Sequence, residues 1–182
     1  MAHEKRKSPQ PVSSQTYEVY LMRHGAAADR ESAAFPDDAK RPLTPEGKLK
    51  LRAIAKGLSR IGVELDWIVS SPLTRAVETA EIVAETLAPS AGLDQCEILA
   101  PAEGSAQKMI AFLAQHPERA RMLLVGHEPS LSKLAAELIG ANHTANFAFK
   151  KGGCALIDLE GLQFPGLLVW WLTPRLLRKL GS

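Results

Sequence analysis

The sequence predicts an α/β fold, a three-layer sandwich in which helices flank both faces of a mostly parallel central sheet. Amphipathic helical patterns alternate along the chain with short apolar runs. The run at residues 122–125 is apolar throughout, which is typical of a central strand covered on both faces. Two late apolar runs, 154–159 and 167–172, are separated by a segment rich in glycine and proline and predict a hairpin.

Two strands and two helices are predicted in the first half of the chain. A strand over 17–22 is followed by a loop of about twenty residues, and a second strand covers 67–69. Thr44-Pro45 and Ser71-Pro72 each join a capping side chain to a proline, so we expect a helix to begin at each. Apolar residues at steps of three and four mark the two buried faces: Leu51, Ile54, Leu58 and Ile61, then Leu73, Ala76, Val77, Ala80, Val83 and Leu87.

The second half predicts a short strand over 96–99, a helix over 105–115 and a fourth helix after the strand at 122–125. A last, basic helix follows Pro174. The inward-facing residues expected in the third and fourth helices are Met109, Ile110 and Leu113, then Leu131, Leu134, Ala135 and Leu138.

Length and composition predict one domain preceded by a tail. A chain of 182 residues with 46% hydrophobic content can build one sizeable core. Residues 1–16 are polar and rich in Ser, Pro and Gln, which predicts a flexible tail and leaves 17–182 as a single domain. Neither a secretory signal nor an apolar run of membrane-spanning length is evident, so we expect a cytoplasmic protein without membrane contact.

The charge balance argues against a nucleic-acid partner. Lys and Arg number 22 and Asp and Glu number 20, and the excess lies in residues 4–7, so the remaining residues carry 19 charges of each sign. Aromatic residues make up only 5% of the chain. The two cysteines, Cys96 and Cys154, lack the spacing of a disulfide framework or a thiolate zinc site.

Charged and nucleophilic side chains follow three predicted strands. Arg23 and His24 follow the first strand, Arg75 lies just after the second at the start of a helix, and His127 follows the apolar strand at 122–125. The carboxyl ends of parallel strands are where α/β sheets bind ligands, so we expect these side chains to lie on one rim.

These residue types suit a phosphoryl group. Arginine presents a planar fork of donors to phosphate oxygens, and the first turn of a helix adds a positive end near Arg75. Nearby guanidinium groups also disfavour the imidazolium form of His24, which leaves it neutral with a lone pair free for nucleophilic attack.

The stretches that carry these residues resemble the histidine phosphatase superfamily, which includes the phosphoglycerate mutases. "LMRHGAA" at 21–27, "RPLTPEG" at 41–47, "VSSPLTRAVETA" at 69–80 and "VGHEPSLS" at 125–132 occur in the family's order. The similarity is closer to its small bacterial branch, the SixA-type phosphohistidine phosphatases. It covers residues 17 to about 139, and the last forty residues match only loosely. The resemblance implies a phosphoglycerate mutase-like fold.

The resemblance also implies a role for each matching residue. His24 would be the nucleophile that becomes phosphorylated, Arg23 and Arg75 would hold the phosphoryl oxygens, and His127 would complete the pocket. Arg41, in the RPLT stretch, is a further phosphate contact in one interpretation and a surface arginine in the other. Gly25 would allow close approach of the backbone to the ligand. No metal or other cofactor is implied.

The general acid is less well marked. Glu103 is the nearest candidate by position, with Glu128 and Asp29 as further candidates and a solvated charge as the alternative for each. If the leaving group is the imidazole of a phosphohistidine, the demand for an acid is reduced. Only 51 residues separate Arg75 from His127, which leaves no room for a large cap and predicts an open site.

Three functions remain open at the level of sequence. The first is hydrolysis of phosphohistidine in a partner protein through a covalent intermediate on His24. The second is hydrolysis of a small phosphomonoester at the same site. The third is a non-catalytic module that binds phosphate or a phosphorylated partner.

Overall fold

The computed structural model describes residues 15–101, 105–141 and 148–182. Its sheet has six strands in the order β3-β2-β4-β1-β5-β6. The strands are β1 (Thr16–Arg23), β2 (Trp67–Ser70), β3 (Gly92–Gln95), β4 (Arg121–Gly126), β5 (Cys154–Glu160) and β6 (Leu167–Leu172). The first four pair in parallel, and β5 and β6 add an antiparallel hairpin beside β1. The predicted mostly parallel sheet is therefore confirmed.

Within the described ranges, five α-helices cover the two faces of this sheet. They are α1 (Pro45–Arg60), α2 (Thr74–Leu87), α3 (Ala106–Leu113), α4 (Ser130–Leu138) and α5 (Pro174–Leu180), with short 3-10 turns at Asp38–Lys40 and Glu97–Leu99. One apolar core contains buried side chains of α1, α2 and α5, and a second contains those of α3 and α4. Alternate residues of β1 and β4 point into opposite cores, which confirms the three-layer prediction.

The register of the central strands positions the functional residues. Arg23 lies opposite Gly126 in the β1/β4 pair, so His24 and His127 leave the sheet side by side. Ser70 lies opposite Val125 in the β2/β4 pair, which brings Ser71 to the same edge. All three chain exits are therefore at the carboxyl ends of parallel strands.

One of the two predicted helix caps is confirmed and the other is wrong. The Thr44 hydroxyl accepts a hydrogen bond from the Gly47 amide at 2.9 Å, as an N-cap does. At Ser71, in contrast, the helix begins three residues later, and Leu73 occupies the cap position without a side-chain bond. The Ser71 hydroxyl instead lies 2.9 Å from Nε2 of His127. The same hydroxyl also accepts from the Leu73 amide at 3.3 Å, so it bonds both to the turn before the helix and to a distant residue of the cleft.

Two predicted strand boundaries also need correction. The strand expected over 96–99 lies at Gly92–Gln95, and Glu97–Leu99 forms a 3-10 turn. This edge strand is mostly exposed and polar, so it lacks the apolar pattern that guides strand prediction, while the apolar residues behind it pack under the sheet. Strand β1 begins at Thr16, one residue inside the predicted tail.

None of the helices in the described ranges has the length and hydropathy of a membrane-spanning segment. Cys96 and Cys154 are both free thiols. The same ranges contain no group of His, Cys, Asp and Glu side chains arranged to hold a metal ion.

Candidate active site

The four residues singled out at the strand ends line one cleft. Arg23, His24, Arg75 and His127 surround an open depression of about 590 Å³, and Arg41 lines it as well. The rings of His24 and His127 are 4.9 Å apart between centroids. Residues from three separate segments of the chain are thus within reach of one small ligand.

Hydrogen bonding determines the tautomer of His24. Its Nδ1 lies 2.7 Å from the carbonyl oxygen of Gly25, which can only accept, so Nδ1 carries the proton and donates it. Nε2 then holds the free lone pair. The backbone amide of His24 donates to the Gly126 carbonyl at 3.1 Å, which ties this residue to the end of β4.

Both histidines of the cleft are held neutral. Burial lowers the pKa of His24 from 6.5 to about 3, and His127, Arg75 and Arg23 add to this effect. Burial also lowers the pKa of His127 to about 4, with further contributions from Arg75 and Arg23 that Asp38 partly opposes. Neutral imidazole is therefore the form of His24 throughout the physiological range, as a nucleophile requires.

Arg23 is anchored through one of its terminal nitrogens. Its Nη1 donates to the carbonyl oxygen of Phe149 at 2.8 Å. The amide of the same residue, Phe149, donates to the carboxylate of Glu128, which also accepts from the Ser132 hydroxyl at 2.7 Å. Glu128 therefore supports the backbone that orients Arg23, and its oxygens are engaged by protein donors.

Arg75 lies in the first turn of α2, as predicted, and is only 3% exposed. Its Nη1 donates to the backbone carbonyl of Asp38 at 2.7 Å, and its Nη2 donates to the carboxylate of Asp38 at 3.0 Å. Arg41 reaches the same carboxylate and also donates to the carbonyl of Ala28 at 2.6 Å. Arg41 is 8% exposed and is thus a buried residue of the cleft, not a surface arginine.

Three buried nitrogen atoms in this cleft lack a hydrogen-bond partner among the described residues. They are Nε of Arg23, Nε of Arg75 and Nδ1 of His127. Buried polar groups in folded proteins are nearly always paired, and an arginine Nε always carries a proton to donate. Unpaired donors on residues from separate segments of one cleft favour a site that is completed by an anionic ligand.

The backbone at Gly25 lies close to side chains of the protein core. A Cβ there would lie 2.5 Å from Cδ1 of Leu51 and 3.2 Å from Cδ2 of Leu43, so a side chain at this position would force the Leu51 side chain to move. The Gly25 amide donates to the hydroxyl of Thr79 at 3.0 Å, and that hydroxyl donates to the Arg75 carbonyl at 2.6 Å. Approach of this backbone to a ligand stays a prediction.

The three carboxylates predicted as candidate general acids differ in their positions and contacts. Glu103 lies outside the described residues. Asp29 lines the cleft, is exposed, and accepts from the amide of Glu31 at 3.3 Å. Glu128 also lines the cleft but is engaged as described above. The carboxylate in direct contact with Arg75 and Arg41 is that of Asp38, which sequence reasoning missed.

Several contributors to the site within the described residues were not predicted. Asp38, Ser71 and Thr79 contact the cleft residues through hydrogen bonds, and Lys151 lines the cleft. Thr79 carried a usable signal, since it lies one helical turn after Arg75 as a polar residue on the apolar face of α2. The others have no periodic pattern that marks them, because their partners are distant in the chain.

Known proteins resemble this chain over most of its length. The family model described as histidine phosphatase superfamily (branch 1) matches residues 19–100. An uncharacterised protein of Picosynechococcus is 37% identical over 139 residues, which are 75% of this chain and 81% of that protein. The phosphohistidine phosphatase SixA of Escherichia coli is 29% identical over 160 residues, 86% of this chain and 94% of that protein.

Solved structures extend this similarity to the fold. A structure of the protein histidine phosphatase SixA complexed with tungstate has a TM-score of 0.75 and 29% identity, covering 87% of this chain and 97% of that one. A phosphoglycerate mutase of Plasmodium falciparum has a TM-score of 0.65 over 86% of this chain and 90% of its own. At 19% identity, the second comparison concerns the fold alone.

Proposed function

The chain belongs to the histidine phosphatase superfamily, and from this we propose that it hydrolyses phosphohistidine in a partner protein, with His24 as the nucleophile. The likeness to SixA covers nearly the full length of both proteins, which supports this choice of substrate. The proposal needs a neutral nucleophile, a set of donors for the phosphoryl oxygens and an accessible cleft.

His24 has the tautomer and the charge that the first step requires. Its Nε2 attacks phosphorus in line with the leaving group, the bond to the leaving group breaks, and a phosphohistidine forms on His24. Water then attacks this intermediate, which releases orthophosphate and restores neutral His24. No step in this sequence calls for a metal ion.

The observation that carries the proposal is the set of unpaired donors around His24. The two donors are Nε of Arg23 and Nε of Arg75, which are buried in the same cleft without partners in the described residues. Nδ1 of His127 is also unpaired, and it is a further donor when the Ser71 hydroxyl donates to Nε2. Because these groups are held in place before a ligand arrives, they can stabilise charge on the transferring phosphoryl group without reorganising. Tungstate, the ligand named for the SixA structure, is a tetrahedral oxyanion of the kind such donors would accept.

The leaving group is where the substrate classes differ. An alkoxide leaving group needs a proton from an acid, whereas a phosphohistidine imidazole leaves more easily because its phosphorus–nitrogen bond is labile. Glu128 and Asp38, two carboxylates near the cleft within the described residues, accept hydrogen bonds from protein donors. Asp29 also lines the cleft and is exposed, so the choice of leaving group depends on the substrate comparison below. The open cleft leaves room for a histidine presented on another protein.

Trapping the intermediate tests the chemistry. The protein is incubated with a phosphohistidine-containing protein, quenched in alkali to preserve phosphohistidine, and analysed by mass spectrometry. We expect one phosphate on His24 and none on the His24→Asn variant, while His116→Gln, altered at a histidine bonded to the Phe112 carbonyl, still becomes labelled. Stoichiometric binding of phosphate without any covalent label would instead support a binding module.

A comparison of substrates tests the specificity. We expect kcat/KM for the phosphohistidine protein to exceed that for a panel of small phosphomonoesters. The reverse preference, combined with loss of monoester turnover in Glu103→Gln, would assign the protein to the small-molecule phosphatases of the same superfamily.

A further inference from the structure

The carboxylate of Asp38 is shared by three arginines from separate parts of the chain. Its Oδ1 accepts from Nε of Arg41 at 2.9 Å, from Nη2 of Arg41 at 2.7 Å and from Nε of Arg30 at 3.3 Å. Its Oδ2 accepts from Nη2 of Arg75 at 3.0 Å, and its backbone carbonyl accepts from Nη1 of Arg75 at 2.7 Å. One residue thus holds both terminal nitrogens of Arg75.

Two buried guanidinium groups need such a partner. Arg75 and Arg41 are nearly inaccessible to solvent, and their like charges repel each other. Burial lowers the pKa of Arg75, and the charge of Asp38 opposes that shift. Without this carboxylate, the two side chains would have no shared anion to keep them together in the free protein.

The backbone around Asp38 is itself held in place. Ala27 and Leu43 form an isolated antiparallel bridge, and the Ala28 amide donates to the Pro42 carbonyl at 2.9 Å. The two ends of the loop over residues 28–42 are therefore held together by backbone hydrogen bonds. The 3-10 turn at Asp38–Lys40 contacts the first turn of α2 through the bonds between Asp38 and Arg75. The position of Asp38 over Arg75 is a feature of the folded loop, not of one mobile side chain.

We propose that Asp38 is the positioning residue for the phosphate-binding arginines of this site. By accepting one hydrogen bond from Nη1 and one from Nη2 of Arg75, Asp38 fixes the orientation of a guanidinium that keeps its other N–H groups for a phosphoryl oxygen. Its carboxylate also holds Arg41 alongside. This inference rests on the proposed function, because it concerns how the same cleft binds phosphate.

Asp38 does not serve as the general acid. Although burial raises the pKa of this carboxyl, the hydrogen bonds from Arg41 and the charge of Arg75 outweigh it and lower the pKa to about 2. The group is ionised at neutral pH and has no proton to donate.

A positioning role and a plain charge effect predict opposite results for Asp38→Asn. Removing a negative charge beside an anion site strengthens its attraction for an oxyanion if the arginines stay in place. If Asp38 positions them, the same change weakens oxyanion binding, because an amide cannot accept from all the donors that the carboxylate engages.

The experiment measures kcat/KM with p-nitrophenyl phosphate and the inhibition constant of tungstate for four proteins: wild type, Asp38→Asn, Arg75→Ala and the double variant. We expect Asp38→Asn to lower kcat/KM and to weaken tungstate binding by about tenfold or more. In the Arg75→Ala background, the same change is expected to have a much smaller effect, because the two residues act as one unit.

Asp37→Asn is the matched control. This neighbouring carboxylate caps the same 3-10 turn through the Ala39 amide and pairs with Lys40, and an asparagine oxygen can still accept from that amide. We expect its activity and tungstate affinity to equal those of the wild type. If Asp38→Asn does not fold, Asp38→Glu keeps the charge but displaces it by one methylene, and the same loss of tungstate affinity is expected.

Tungstate binding to Asp38→Asn as tight as or tighter than to wild type overturns the positioning role, and so does an equal loss in the Arg75→Ala background. Failure of the proposed function looks different, since the wild type would then form no phosphate adduct on His24 or would prefer small phosphomonoesters, whatever the effect of Asp38→Asn on tungstate binding.

Discussion

Lowering the pH tests the electrostatic account of His24, the proposed nucleophile. Burial holds the pKa of His24 near 3, whereas an ordinary histidine in an unfolded chain titrates near 6.5. As the pH falls below 6.5, His24 binds a proton in the unfolded state but stays unprotonated in the folded state. Folding stability therefore decreases with falling pH between about 6.5 and 3, the window between the two pKa values.

The size of this effect follows from the two pKa values. At pH 5, the pH lies about 1.5 units below the pKa of this histidine in the unfolded chain. Protonation therefore stabilises the unfolded state by about 2 kcal/mol at this one residue. His24→Asn removes the titrating group while leaving an amide that can donate to the Gly25 carbonyl. We therefore expect the stability of the wild type to fall by about 2 kcal/mol more than that of the variant between pH 7.5 and pH 5.

Urea denaturation of both proteins at the two pH values measures this difference, and NMR of the histidine rings gives an independent readout. The His24 ring, assigned by its loss in the variant, is expected to stay neutral at pH 5. Equal losses of stability in the two proteins, or a His24 resonance that titrates near pH 6.5, would refute the argument from burial.

Other predictions follow from the same contacts. Arg75→Ala is expected to lower kcat/KM by two to three orders of magnitude, since removal of one preorganised donor costs about 2.7–4 kcal/mol; less than a tenfold loss in steady-state kinetics would contradict its role. Thr79→Val leaves the Gly25 amide unpaired and should lower the free energy of unfolding by about 1–3 kcal/mol, whereas Thr79→Ser keeps the hydroxyl and should be nearly neutral in urea denaturation. Incubation with EDTA should leave turnover unchanged, and activity restored only by added metal would argue against metal-independent transfer.

Much of the fold could be predicted because its signals are local. The Thr44 cap of α1, the apolar strand β4 and the buried positions Leu51, Ile54 and Leu58 each depend on neighbouring residues, and the structure confirms them. Ile61, predicted on the same buried face, was wrong, because it lies just past the end of α1 and is 39% exposed. The edge strand β3 was misplaced because it is mostly exposed and polar, so burial imposes little apolar pattern on it. The cap predicted at Ser71 was wrong because α2 begins only at Thr74, and the Ser71 hydroxyl contacts the Leu73 amide and His127.

By itself, the sequence determined which segments would meet at the sheet edge. In a parallel sheet the strand carboxyl ends share one rim, so Arg23, His24, Arg75 and His127 could be placed together before any coordinates. Only the tertiary structure decided that Asp38 would hold Arg75, 37 positions away, and that Arg41 would be buried with them. Such contacts depend on the path of a loop, and a loop has no periodicity from which its side-chain partners can be read.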